Sequence, residues 1–135
     1  MPQEYLKKVH APDQAVNPLF AFLGVEVVEI TSDRAVLCLS IKPELVQGAG
    51  FAAGGILAAL LDETMAHAVL GGNPPGQLTS TVDMNVSFLR PVNKHAELVC
   101  EARVTKRGKR IVFTEAVVRS GGHEVARATA SFLMV

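Results

Sequence analysis

The sequence predicts an α+β domain: one antiparallel six-stranded sheet wrapped around a single long central helix. Three observations predict it. The stretch from Gln47 to Leu70 runs a glycine-rich loop directly into a helix-forming segment that is apolar on nearly every side, with no polar residue between Ile56 and Leu61. A helix apolar all round is expected to be buried all round. From Thr81 to the C-terminus the pattern alternates with period two, interrupted only by turn residues. Two further alternating runs precede the helix. The chain has 135 residues, of which 49% are hydrophobic, and a formal net charge of zero. That length reads as one domain, residues 1–135, large enough for a core of its own.

The elements follow in order. Residues 1–11 are polar and mixed, and read as a flexible N-terminal segment. Pro12 to Leu23 reads as a helix. Pro18 sits where a first turn tolerates it, Leu19, Phe20, Phe22 and Leu23 form an apolar face, and Gly24 is a C-cap. Val25–Ile30 and Ala35–Ile41 are strands around a Ser32-Asp33 turn. Ala35, Leu37, Leu39 and Ile41 line one side, and Pro43 ends the second strand. The central helix comes next, stopped by Gly71-Gly72-Asn73-Pro74-Pro75-Gly76.

Beyond it Val82, Met84, Val86 and Phe88 are expected to face one way and Thr81, Asp83, Asn85 and Ser87 the other. Pro91 closes that strand. Ala96, Leu98, Cys100, Ala102 and Val104 make the next inward face. Lys106-Arg107-Gly108-Lys109 turns the chain into Ile111–Arg119, and Gly121-Gly122 turns it into Glu124–Val135. Four long strands joined in succession read as an antiparallel meander. Its free edges predict a homo-oligomer with abutting or continuous sheets.

Composition and motifs exclude several classes. A neutral chain has no electrostatic footprint for nucleic acid. The longest apolar run is too short to span a bilayer, and the N-terminus lacks the apolar core of a signal peptide, so a soluble cytoplasmic domain is expected. Cys38 and Cys100 stand far apart and read as small core residues. His10, His67, His95 and His123 show no metal spacing, so no metal is expected. His67 follows Glu63 by four residues and reads as a local Glu–His pair. Gly48-Ala-Gly50-Phe-Ala-Ala53 mimics a dinucleotide fingerprint but lacks the βαβ unit around it. Neither a Walker loop nor a Gly-x-Ser-x-Gly elbow occurs.

What remains is the loop and its helix. The loop leads into a helix N-terminus, where free backbone N–H groups stabilise developing negative charge. Two turns on, Asp62 and Glu63 interrupt the apolar run. Buried carboxylates are rare unless paired or at work. Asp62 is therefore either a catalytic carboxylate or a structural one hydrogen-bonded across an interface.

Gly54-Gly55 followed by Ile-Leu-Ala-Ala-Leu-Leu-Asp62 resembles the active-site helix of hotdog-fold thioesterases of the PaaI-like group. Thr81-Val-Asp-Met-Asn-Val-Ser-Phe-Leu-Arg-Pro91 is similar to that family's strand after the helix. Arg107-Gly-Lys-Arg110 and Gly122-His-Glu-Val-Ala resemble its last two turns. The resemblance runs in order from about residue 12 to 135.

It implies a hotdog fold, no cofactor, and hydrolysis of an acyl-CoA or aryl-CoA thioester. It also implies a homodimer or a dimer of dimers with active sites at the subunit interface. Asp62 falls on the family's general base or nucleophile. Gly54, with Gly55, falls on the backbone N–H that polarises the thioester carbonyl. Gln47 falls on an asparagine that helps place water, and Thr81 on a hydroxyl-bearing position beside the carboxylate. Phe51, Ala53, Arg90, Arg107, Gly108, Lys109 and Arg110 are expected to contact substrate, and Arg90, Arg107, Lys109 and Arg110, the basic residues nearest the motif strands and turns, are candidates for the CoA phosphates. Ala53 departs from the family, which has histidine there. A non-catalytic acyl-CoA-binding protein and a purely structural oligomer stay open beside the enzyme.

Overall fold

Period-two alternation builds six strands, and the apolar run between them builds one long helix. The computed structural model describes residues 2–135. In chain order it contains α1 (Pro2–Lys8), α2 (Pro18–Leu23), β1 (Glu26–Thr31), β2 (Arg34–Ser40), a 3-10 turn (Pro43–Leu45) and α3 (Gly54–Gly72). β3 (Thr79–Phe88), β4 (Glu97–Arg107), β5 (Ile111–Ser120) and β6 (His123–Met134) follow. All six strands join one antiparallel sheet, and α3 packs across its inner face. No helix among the described residues is long and apolar enough to cross a membrane.

The sheet order is β1-β2-β4-β5-β6-β3. Only β4, β5 and β6 form the expected meander. β3 pairs with β6 at the far edge and never meets β4. The reason lies in the linker before β4, which carries no hairpin signal. It runs back under the loop preceding α3, with Ala52 N–H donating to Val92 O at 2.8 Å and Phe51 bridging to Asn93. By contrast Gly121 and Gly122 both take positive φ, 56° and 80°, and make the tight β5–β6 turn foreseen for them.

The core is the sandwich of α3 against the inner face of the sheet. Leu37, Leu39, Leu98, Cys100, Val112, Val118, Ala126 and Phe132 meet Leu57, Leu60, Leu61, Met65 and Val69. Cys100 is buried and Cys38 only half-buried, on the opposite pleat.

Two N-terminal expectations change. The segment over residues 1–11 carries α1, with Val9 buried and Tyr5 half-buried against the core. The helix expected from Pro12 begins only at Pro18, because Asn17 caps it by accepting from Phe20 N–H at 3.0 Å. One short helix has a single inward row, so Phe20 and Leu23 are buried while Leu19 and Phe22 remain exposed.

Gly71 and Gly72 belong to α3 instead of stopping it. They let its last turn press on the β1–β2 hairpin: a Cβ on Gly71 would lie 2.2 Å from Thr31 O.

Candidate active site

Helix α3 is apolar all round, but the chain covers only part of it. Leu57, Leu60, Leu61, Thr64, Met65, Ala68 and Val69 are buried, whereas Gly55, Ala59, Asp62, Glu63, Ala66 and Leu70 keep exposed surface. Their spacing of three and four puts them along one stripe. Small side chains thus flank two carboxylates on an open helix face.

At the N-terminus of that helix the cap residue is Ala53, whose side chain offers no cap. Gly54 and Gly55 N–H have no acceptor among the described residues. These are two free donors at the positive end of a helix of 19 residues. The approach to Gly54 is apolar: the Phe88 ring would lie 3.5 Å from a Cβ placed there, and Phe51 and Leu89 are exposed nearby. Together with Gln47, Leu57, Arg90 and Val92 they line a shallow cavity of about 280 Å³. The Gln47 side-chain oxygen is taken up in its own loop, accepting from Ala49 N–H.

Asp62 lies two turns further on. Thr81 Oγ1 donates to Asp62 Oδ1 at 2.8 Å. This contact overturns the expected facing of β3. The register against β6 shifts between Thr81 and Asp83, so Thr81 pairs with Phe132 while Met84, Val86 and Phe88 pair with Ala130, Ala128 and Ala126. Those four β6 residues all face the core. The bulge therefore turns Thr81 toward the helix with Met84 and Val86, and leaves Val82 exposed.

Glu63 enters a separate cavity of about 560 Å³, walled by Tyr5, Ala66, His67, Leu70, Leu78, Thr81 and Phe132 among others. Burial, and secondarily the charge of Asp62, push the Glu63 carboxyl up to about 7. The sequence marked Glu63 only as the neighbour of Asp62 and a local partner for His67. Its distinction comes from a cavity that long-range packing creates.

His67 does not pair with the Glu63 carboxylate. Its Nδ1 donates to Glu63 backbone O at 2.7 Å, since a carbonyl only accepts. Nε2 must then accept from Tyr5 OH at 2.7 Å, and Asn17 Nδ2 donates to that hydroxyl at 2.8 Å. Burial lowers the pKa of His67, in agreement with a neutral ring. This chain of bonds ties α1 and α2 to α3 and was not foreseen. Its one sequence signal was Tyr5, Leu6 and Val9 on one face of a short apolar stripe.

The four candidate cations separate. Arg107 is a clamp at the far end of α3: it donates to Asp33 Oδ1 at 2.7 Å, Asn73 Oδ1 at 2.6 Å and Val69 O at 2.9 Å. Its hydrogen-bonding capacity is spent on the fold, so the expected phosphate contact conflicts with the geometry. Gly108 makes the β4–β5 turn, its N–H donating to Ile111 O at 2.9 Å. Lys109 and Arg110 are exposed on that turn, and Arg90 stands at the cavity beside Gly54.

Known proteins share this sequence pattern and fold. A family model for the thioesterase superfamily matches residues 49–127, from the loop before α3 through β3, β4 and β5 into the start of β6. Acyl-coenzyme A thioesterase 13 of Homo sapiens is 28% identical over 116 residues, covering 84% of this chain and 81% of that protein. Among solved structures, a phenylacetic acid degradation-related protein from Ralstonia eutropha JMP134 superposes with a TM-score of 0.86 at 26% identity, covering 97% and 99% of the two chains. The PaaI protein of E. coli shares the fold, with a TM-score of 0.86 at 19% identity over 99% of this chain and 95% of its own.

Proposed function

This chain belongs to the thioesterase superfamily, and on that premise we propose that it hydrolyses acyl-CoA thioesters to the free acid and CoA. The observation that carries the proposal is Asp62, held by Thr81 on the uncovered face of a helix whose N-terminus presents free N–H groups.

In this reading the thioester carbonyl oxygen accepts from Gly54 N–H, with Gly55 beside it. Negative charge developing on that oxygen is stabilised there. Asp62 takes a proton from water, or attacks the carbonyl itself, and the CoA thiolate leaves. Thr81 holds the carboxylate in one orientation. Ala53 supplies no imidazole, so polarisation rests on backbone donors. Gln47 shapes the loop through its bond to Ala49, with its amide group left to meet water. Phe51, Phe88 and Leu89 would flank the pantetheine arm, and Arg90, Lys109 and Arg110 are the candidates for the phosphates.

Gly54 and Asp62 lie on one helix, roughly 12 Å apart along its axis at about 1.5 Å per residue. General-base reach is about 3 Å, or one water. Both groups act together only if they come from two copies of α3. The sheet supports such a pairing. Its β1 edge is short and carries Glu26 and Glu29, whereas the β3 edge is long and exposes Val82 and Phe88. Pairing two β3 edges about a two-fold axis would set two α3 helices side by side and antiparallel, with Ala59 and Ala66 permitting close approach.

A non-catalytic acyl-CoA-binding role is the second reading, favoured by Ala53 at the helix cap. A panel of short, medium and aryl acyl-CoA thioesters assayed by thiol release separates the two. Turnover lost in Asp62→Asn supports the enzyme. Binding of CoA esters without thiol release by the wild-type protein supports the alternative.

A further inference from the structure

The N-terminal segment is held to the domain by very little. Val9 is buried and Tyr5 and Leu6 are half-buried, while Glu4, Lys7, Lys8 and His10 are exposed. Among the described residues, one hydrogen bond runs from residues 2–16 to α3 or the sheet, that of Tyr5 OH to His67, and no salt bridge does. Helix α1 has seven residues, too few to persist alone in water, so its existence depends on being docked.

The docking bonds have a fixed direction. Asn17 Nδ2 donates to Tyr5 OH, Tyr5 OH donates to His67 Nε2, and His67 Nδ1 donates to Glu63 O. Only a neutral imidazole satisfies this order. A second proton, on Nε2, would confront the hydroxyl proton of Tyr5. Turning that hydroxyl round moves the conflict to Asn17, whose amide already donates there.

No countercharge stands by. Phe20 and Tyr5 cover the His67 ring at centroid separations of 5.0 and 5.7 Å. The titratable groups facing it are Tyr5 from α1 and Glu63 from its own helix. The cavity they share receives Asn17 from the α2 cap, Thr79 and Thr81 from β3 and Phe132 from β6, none of which titrates. Burial pushes Tyr5 up; burial, then the charge of Asp62, pushes Glu63 up to about 7. Glu63 is therefore neutral before His67, lowered by burial, takes its proton.

We propose that residues 2–16 are an acid-released strap: a proton taken from solvent by His67 breaks its bond to Tyr5 and frees α1 from α3. The sign follows from linkage. Released, His67 meets water and binds a proton near its ordinary value of 6.5, above its docked value, so acid favours release. Tyr5 and Asn17 wall the cavity beside α3, so release widens it on that side. The device is independent of the thioester chemistry.

Hydrogen exchange of the full chain, read by mass spectrometry and corrected for intrinsic exchange, tests it. Between pH 7.5 and pH 5.0 the protection of the Leu6, Lys7, Lys8 and Val9 amides should fall about tenfold while α3 stays protected. An ordinary histidine value caps the loss near roughly thirtyfold. Tyr5→Phe should already lack that protection at pH 7.5 and show no pH response. His67→Gln cannot titrate, so its pH response should vanish too; should it not fold, Tyr5→Phe decides. Protection kept by the wild type at pH 5.0 overturns the inference. So does an acid response that survives in either variant, or protection lost from α1 and α3 together.

Discussion

The hydroxyl of Thr81 stands 2.8 Å from Asp62 Oδ1 and donates to it, joining the first turn of β3 to the middle of α3. An aspartate with a short side chain on a half-open helix face has several rotamers; this bond selects one. If Asp62 is the base or nucleophile, Asp62→Asn should lower kcat by about 10³-fold while far-UV dichroism and Tm hold. Turnover near wild type in that variant sinks the assignment.

Thr81 acts through Asp62 and is a positioning residue. Thr81→Val should reduce kcat by about tenfold and leave KM for acyl-CoA unchanged, since it removes the donor that orients the carboxylate. Thr81→Ser should restore kcat. Equal losses in Val and Ser variants would assign Thr81 to packing alone.

Glu63 makes stability depend on pH with a definite sign. Its folded value of about 7 lies above the ordinary value of 4.5. Below about 4.5 both folded and unfolded chains carry the proton and the group contributes nothing. As pH rises from 4.5 to 7 the unfolded chain ionises first, so the folded state loses stability. Above 7 a constant penalty remains, of roughly 3 kcal/mol before relaxation is allowed for. The groups around it are Asp62, neutral His67 and Tyr5. Glu63→Gln should therefore unfold at higher temperature than wild type at pH 8 and at the same temperature near pH 4. A Tm difference that is flat with pH would contradict the shift.

Arg107 and Arg90 should behave oppositely although both are basic and near the motif. Arg107→Met leaves Val69 O and the Asn73 and Asp33 side chains without their donor, costing about 2 kcal/mol in unfolding assays. It should leave the ratio of KM for acyl-CoA to KM for an acyl-pantetheine unchanged. Arg90→Glu, or Lys109→Glu with Arg110→Glu, should raise KM for acyl-CoA only. A selective KM effect from Arg107→Met would return that residue to the phosphates.

The legible part of this protein was local. Alternation marked each strand, Gly121-Gly122 marked its turn, and the apolar run before Asp62 marked the helix at the centre. The part that was not legible depends on what packs where. A bulge of one residue in β3 reversed the facing of Thr81, and only the register with β6 reveals it. β3 crossed to the far edge because the residues around Pro91 form a linker, which alternation cannot distinguish from a wide turn. Arg107 looked like any turn cation until the C-terminus of α3 was seen to end beneath it. Glu63 gained its environment from Tyr5 and Phe132, which come from opposite ends of the chain.

The shared site offers the sharpest test, because its two halves are disabled by different changes on one helix. Gly54 is the first residue of α3, a position that accepts proline: it has no helical acceptor to lose, and Ala53 before it already has an extended ψ of 136°. Gly54→Pro therefore removes the N–H donor while keeping the helix. Asp62→Asn removes the carboxylate. Each homodimer should be inactive. In a heterodimer one site would combine Gly54 of one chain with Asp62 of the other, both intact, and the second site would carry both lesions. Random mixing makes half the dimers mixed, so about one quarter of wild-type activity should return after co-refolding. Recovery should follow the fraction of heterodimer measured by native mass spectrometry. Verified heterodimers without activity, or a fully active monomer, would place both groups' chemistry within one chain and defeat the two-copy site.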